Sequence, residues 1–254
     1  MGIKNIYMQA NEWFRLWFSS PYYDILYQQR DKKEAATLID KLAATLQMPV
    51  NSFVLDAACG KGRYSTVLAE KGFNVTGIDI SPSSIAEVQK LETDKLHFYQ
   101  HDMRLPFYIN YFDYAFNFFT SFGYFRTLRE HNDAIRTLAQ SLKLNGSLTI
   151  DYLNVHFTEE NLKHNETTEL NGVVFNIERW CDEEHFYKRI KIEDSAKNLT
   201  ETFTEQVEKF SLGDFTDMLS YQGLMVESVF GDYDLNAYHV KKSPRMIITA
   251  KKIH

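Results

Sequence analysis

The sequence predicts a doubly wound α/β fold, and three features predict it. Apolar runs of strand length alternate with helical segments from about residue 52 to residue 153. The first run leads into a glycine turn, VLDAACGKGRYS over residues 54–65, with a helix pattern directly after it. Aspartates stand at the ends of three successive predicted strands, at Asp56, Asp79 and Asp102. In an open α/β sheet those ends are where ligands bind.

Two aromatic helical segments open the chain. RDKKEAATLIDKLAATLQM then places Ala35, Leu38, Ile39, Leu42 and Leu46 on one helical face, which predicts a helix lying against a sheet. SFVLDAA reads as the first strand, a helix follows from about Gly62 to Lys71, and NVTGIDIS (74–81) reads as the second strand. Ser81-Pro82 is a helix start with proline at its first position, leading into SSIAEVQKL. KLHFYQHD and FDYAFNFF read as the third and fourth strands, HNDAIRTLAQSL as a helix and GSLTIDYL as the fifth strand. After Leu153 the pattern changes. Between Val155 and Phe210, GVVFNIERW, FYKRIKIED and ETFTEQVEKF alternate apolar and polar residues, as an inserted antiparallel meander does. From Ser211, a predicted helix cap, the earlier pattern returns with one helix and two strands, LMVESVFG and RMIITAKK. This gives one domain over 1–254, with an N-terminal helical cap (1–50), a core (51–153 and 211–254) and an inserted β lid (154–210).

A chain of 254 residues with 44% hydrophobic content can bury a full core. Its formal net charge of −6 disfavours a surface built to attract phosphate backbones, so a nucleic-acid partner is not expected. Two cysteines, Cys59 and Cys181, offer neither a disulfide framework nor zinc-site spacing. No apolar run has the length of a membrane span or the form of a cleaved leader, which predicts a cytoplasmic protein that is a monomer or a homodimer. Asn165-Glu166-Thr167 and Asn198-Leu199-Thr200 match glycosylation acceptors and read here as loop residues.

Two ligand classes compete for the glycine turn. A dinucleotide site wants Gly-x-Gly-x-x-Gly with a helix N-terminus aimed at a pyrophosphate, but Ser65 occupies the third glycine position. Asp56 would also repel phosphate while attracting a cation. A ligand with an ammonium and no phosphate fits better. Asp79, 17 residues after Gly62, is placed to accept from ribose hydroxyls, and Asp102 to accept from an adenine amino group. Singly, each aspartate is an ordinary turn former or helix cap; the set at successive strand ends is the signal.

With those residues in place, the chain resembles the class I S-adenosylmethionine-dependent methyltransferases. VLDAACGKGRYS is similar to their first motif, VTGIDIS to their second, and QHDMRLPF to their adenine-binding acidic loop. The resemblance implies a Rossmann-like, seven-stranded, mostly parallel sheet and S-adenosyl-L-methionine as cofactor. It implies cofactor contacts at Asp56, Ala58, Gly60, Gly62, Asp79, Ile80, Asp102, Met103, Asn117 and Phe118. More narrowly, YYDILYQQRDKKEA, HDMR and NFFTSFGYF are similar to small-molecule N-methyltransferases that act on amino sugars or glycine. In that group a Tyr and an Arg of an N-terminal helix approach the methionine end, which implies Tyr27 and Arg30 here.

A methyl on a positively charged sulfur is already activated, so transfer needs an in-line acceptor lone pair at about 3 Å and little covalent help. A general base serves an amine only by producing its neutral form, whereas for a hydroxyl it acts in the step itself. Asp151, Tyr152, Asn154 and His156 lie near the fifth strand's end, and Tyr152 and His156 are taken as the acceptor-pocket pair. Arg179, Trp180 and Phe203 of the meander suit either a pocket, an interface or packing. The expected function is methyl transfer to nitrogen or oxygen of a small molecule. The alternatives are methylation of tRNA or protein, and a non-catalytic cofactor-binding module.

Overall fold

The apolar runs assemble into a seven-stranded sheet in the order β10 (Leu224–Phe230), β11 (Arg245–Lys252), β5 (Leu142–Leu153), β4 (Phe112–Asn117), β1 (Phe53–Ala57), β2 (Asn74–Asp79) and β3 (Leu96–Gln100). The structure, a computed structural model, describes residues 13–28 and 32–254. Along the described chain come α1 (Trp13–Phe18), α2 (Pro21–Tyr27), α3 (Lys32–Thr45), β1 (Phe53–Ala57), α4 (Arg63–Glu70), β2 (Asn74–Asp79), α5 (Pro82–Val88), β3 (Leu96–Gln100), β4 (Phe112–Asn117), α6 (Leu128–Ser141) and β5 (Leu142–Leu153). They are followed by α7 (Val155–Glu160), β6 (Asn165–Leu170), β7 (Val173–Cys181), β8 (His185–Asp194), β9 (Leu199–Glu208), α8 (Leu212–Ser220), β10 (Leu224–Phe230) and β11 (Arg245–Lys252). Arg30 lies outside the described residues. Among those described, no helix is long and apolar enough to cross a membrane, and no cluster of three or more potential metal ligands occurs.

The chain divides into two compact units. The larger runs from residue 31 to 158 and from 210 to 254. Its strands β3, β2, β1, β4 and β5 pair in parallel, and β11 runs antiparallel to both β5 and β10. The central strands are buried along nearly their whole length, as a sheet covered on both faces requires. Helix α3 buries Ala35, Leu38, Ile39 and Leu42 against Val54, Val67, Val75 and Phe116. Each large side chain of that stripe contributes about 1.5–3 kcal/mol on leaving water. The helix starts are capped as their residues dictate. Ser81 accepts from the Ser84 N–H, Thr127 from the Glu130 N–H, and Ser211 forms a reciprocal box with Asp214.

The smaller unit contains α1, α2 and the antiparallel sheet β6-β7-β8-β9. Trp17 and Tyr22 pack on Val173, Phe175, Ile177, Ile190 and Ile192, the inward set of β7 and β8. A period of two produces that face directly. The segment 1–50 is thus shared, with α1 and α2 in this unit and α3 in the larger one.

Two local differences from the sequence expectation have plain causes. Asn165-Glu166-Thr167, expected as loop residues, open strand β6, which is paired along its length with β7, and Leu199-Thr200 of the other triplet likewise open β9. The Glu and Thr residues of β6 suit a half-exposed sheet edge and carry no apolar period. The stretch after Leu153 begins with helix α7 rather than directly with the meander.

Candidate active site

The crevice at the ends of β1 and β4 is where the sheet order reverses, because the chain builds β1, β2 and β3 outward and then returns to lay β4 beside β1. Pairing of Asp56 with Gly77 on one side and Phe116 on the other fixes Asp56 beside this point. The loop that follows is left-handed at Ala58 (φ 62°), Gly60 (φ 52°) and Gly62 (φ 69°). A Cβ at Gly62 would lie 2.8 Å from the Phe98 ring, so glycine is required there by space as well as by dihedral. At Gly60 the same atom would meet open space, which leaves the backbone approachable by a ligand.

Asp56 is 1% exposed and accepts from the Ser65 hydroxyl at 2.5 Å. Burial pushes its carboxyl up to about 7, and the nearby Asp79 charge adds to this; the Ser65 hydroxyl and the Arg63 charge act in the opposite sense. Ser65, the residue that breaks the dinucleotide pattern, is therefore the hydrogen-bond partner of the acid at the strand end. Asp79 ends β2 with both oxygens oriented: Oδ2 accepts from the Gly60 N–H at 2.8 Å and Oδ1 from the Ser81 N–H at 2.8 Å. Burial raises its pKa, and these N–H groups oppose the rise. Each oxygen keeps lone-pair capacity for a further donor.

The other expected cofactor contacts occupy neighbouring strand ends. Asp102 accepts a two-pronged contact from Arg104, 3.0 Å from Nε and 2.6 Å from Nη2, and Arg104 also reaches Glu130 at 3.0 Å. The Met103 carbonyl accepts from the Thr137 hydroxyl, and the Ile80 carbonyl from Gln100 Nε2 at 3.4 Å. Asn117 is fully buried at the end of β4, and its amide donates to the Ala57 carbonyl at 3.0 Å, tying β4 to β1. Its Oδ1 has no partner among the described residues. Phe118 stacks on Tyr64 with ring centroids 4.1 Å apart.

Tyr27 lies in the smaller unit, where its hydroxyl donates to Glu205 at 3.1 Å and accepts from Lys188. In the same unit Arg179 pairs with Glu166 at 2.9 Å, Trp180 stacks on Tyr187 and Phe203 packs on Trp17. Tyr152, expected at the acceptor, is 0% exposed and sits among Phe210 and Phe215, with its hydroxyl against the backbone of Gly123. That is the packing of a core aromatic, not of a pocket wall. His156 is exposed on α7.

The polar residue of this strand end that does engage the neighbouring loops is Asp151. Its Oδ1 accepts from Arg245 Nε at 2.8 Å, and its Oδ2 from the Tyr233 hydroxyl at 3.0 Å and the Phe119 N–H at 2.8 Å. Phe119 and Thr120 are both left-handed, at φ 60° and 53°, an uncommon state for a β-branched residue. The Asp151 carbonyl accepts from the Thr120 N–H at 2.8 Å, and Arg245 donates to the Thr120 hydroxyl at 2.9 Å. Arg63, Tyr233 and Arg245 are residues sequence reasoning missed, and Ser65 entered it only as a departure from the glycine pattern. Only Arg245 carried a local signal, a charge opening an otherwise buried strand.

Residues 54–146 match the model of the family described as a methyltransferase domain. A Bacillus subtilis protein, putative methyltransferase YqeM, is 35% identical over 107 residues, covering 41% of this chain and 43% of its own length. The Streptomyces venezuelae dTDP-3-amino-3,4,6-trideoxy-alpha-D-glucopyranose N,N-dimethyltransferase is 28% identical over 133 residues, 51% of this chain and 54% of its own. The chain thus spans about half the length of the curated relatives it matches. A crystal structure of an S-adenosylmethionine-dependent methyltransferase from Clostridium acetobutylicum superposes with a TM-score of 0.75 at 18% identity, over 91% of this chain and 96% of that one. The chain is thus similar to methyltransferases over residues 54–146 and shares the fold of the superposed S-adenosylmethionine-dependent methyltransferase.

Proposed function

We propose that the protein binds S-adenosyl-L-methionine and transfers its methyl group to a nitrogen or oxygen of a small molecule. The observation that carries this reading is Asp79, whose two carboxylate oxygens are fixed by the Gly60 and Ser81 N–H groups beside an unobstructed left-handed loop. A vicinal diol is the ligand group that two such oxygens accept from together. The donor set suits the rest of the cofactor. Asp56 supplies negative charge for an ammonium, Asn117 Oδ1 is a buried acceptor without a partner among the described residues, and Arg63 Nη1 is a buried donor in the same condition. Asp102 and Met103 follow β3 on the adenine side, as the motif resemblance implies.

When bound, the cofactor supplies a methyl already activated by the charge on sulfur. The chain's own task is then to hold, orient and exclude water. The left-handed turn at Phe119–Thr120, fixed by Asp151, follows β4 at the same strand end. A small nitrogenous acceptor is favoured by the Streptomyces venezuelae relative, which is named for N,N-dimethylation of an amino sugar. The acidic total charge runs against tRNA. The roles implied for Tyr27, Tyr152 and His156 form no part of this proposed site.

Incubation with S-adenosylmethionine and a panel of amino sugars, primary amines and their hydroxyl analogues tests the activity, with S-adenosylhomocysteine read by mass spectrometry. The expected result is release above the acceptor-free rate with at least one amine or hydroxyl class. Methylation of a tRNA or protein fraction with none of the small acceptors turned over would contradict the reading.

A further inference from the structure

We propose that a ribbon of aromatic rings on the larger unit is the surface through which two copies of this chain pair. The ribbon arises from the way the chain returns from β3 to β4. Residues 101–111 carry it from the edge of the sheet back past β2 and β1, and they do so without a helix. Strands of a parallel sheet ordinarily have helices over both faces. On β3 one face is covered, with Leu96 and Phe98 buried in the cluster that holds Val88 of α5, while the other presents His97 and Tyr99 to solvent. From there the rings run to β1 in an unbroken series. Tyr99 stands 5.7 Å from Phe107, Phe107 4.8 Å from Tyr108, Tyr108 4.5 Å from Tyr111 and Tyr111 5.0 Å from Phe53, centre to centre.

Much of this ribbon lies in water. Phe53, Tyr99, Leu105, Tyr108 and Ile109 are between 36% and 59% exposed. Side chains of this size leave together about 400 Å² of mainly apolar surface uncovered, which is the scale of the largest patch on an ordinary monomer. It is also about half of the roughly 800 Å² that each partner contributes to a stable interface, as suits an apolar centre inside a polar rim. The occupant that fits is a second copy. An extended peptide adding to the sheet meets a blocked edge, because Leu96 exchanges backbone hydrogen bonds with Thr93 at 3.2 and 3.0 Å and the Phe98 N–H donates to Glu92 at 2.8 Å. A polyanion meets no cationic field, because the rim carries both signs. Lys143 lies over the Phe53 ring and pairs with Asp113 at 2.7 Å, and Glu92 and Lys95 precede β3. A rim of both signs and a centre of flat rings can meet their own copy across a two-fold axis, where both sides of the contact are the same patch. Aromatic rings supply that contact with little side-chain entropy to lose.

The test is sedimentation velocity of the full chain across a dilution series, with 29.7 kDa as the mass of the single chain. The expected result is a concentration-dependent shift to twice that mass, with a dissociation constant in the micromolar range or tighter. Ile109→Glu and Tyr108→Glu place like charges in the centre of a two-fold contact and should weaken pairing at least about 10-fold. Ile109→Glu changes an exposed side chain and should melt within about 2 °C of wild type. A wild type that stays a single chain throughout the series would overturn the proposal, and so would a dimer that both variants leave intact. A measurement on the wild type alone covers the case in which the variants misfold: hydrogen exchange read by mass spectrometry, compared between dilute and concentrated protein, should slow in residues 99–111 on pairing. Slowing confined to other segments would overturn the assignment even where a dimer forms. Retention of nucleic acid or of another protein by a chain that stays single would give the face to that partner and overturn the proposal as well.

Discussion

Asp56 lies buried in β1 beside the point where the sheet order reverses. In the ligand-free protein a carboxyl this buried prefers to stay protonated, and its hydrogen bonds from Ser65 offset only part of the cost of ionising, whereas an ammonium brought beside it would favour the charged form. In the unfolded chain the same group ionises in the usual carboxylate range. Between that range and about 7 the folded state therefore holds a proton that the unfolded state has lost, and stability falls as pH rises across the window. The full difference is on the order of 4 kcal/mol. The ligand-free protein should accordingly show a melting temperature that declines from pH 5 to pH 8, and Asp56→Asn should flatten the decline. An Asp56→Asn profile as steep as wild type would remove Asp56 from that role. The strand-end aspartates were legible in the sequence because each closes an apolar run. Ser65 was legible only as a departure from a glycine pattern; that its hydroxyl would satisfy Asp56 depends on a helical turn bringing residue 65 back over the end of β1.

The turn after β4 is the clearest device at the level of elements. Two successive left-handed residues, Phe119 and Thr120, persist because Asp151 accepts from one N–H with its side chain and from the next with its carbonyl. Arg245 at the start of β11 completes the clamp through Asp151 and the Thr120 hydroxyl. Asp151→Ala would leave a part-buried guanidinium unpaired and free the turn, which should cost about 3–5 kcal/mol by urea denaturation. A loss below about 1 kcal/mol would show that the turn is held by other contacts. Hydrophobic period identified the strands and the helices that flank them, since each buries a continuous stripe or run. It could not identify β6, whose exposed edge needs no apolar residue, nor the clamp, whose partners lie 94 residues apart in the chain.

At the scale of the whole molecule, a parallel sheet with one reversal of order gathers strand-end residues from distant parts of the sequence into one crevice. Asp56, Asp79, Asn117 and Asp151 reach it from four strands, and β11 brings in Arg245 antiparallel to β5. The fold class, the insertion between Leu153 and Ser211 and the three aspartates could be read from pattern. The pairing of Tyr152 with Phe210 and Phe215 could not, because a strand residue near an active-site edge and a core aromatic look alike until the facing helix is placed. On the proposed function, this crevice receives a cationic adenosyl donor and rejects a pyrophosphate. Calorimetric titration of the full chain with S-adenosylmethionine and, separately, with NAD tests it most directly. Saturable heat with S-adenosylmethionine and none with NAD is expected; saturation by NAD with no heat from S-adenosylmethionine would overturn the proposed function.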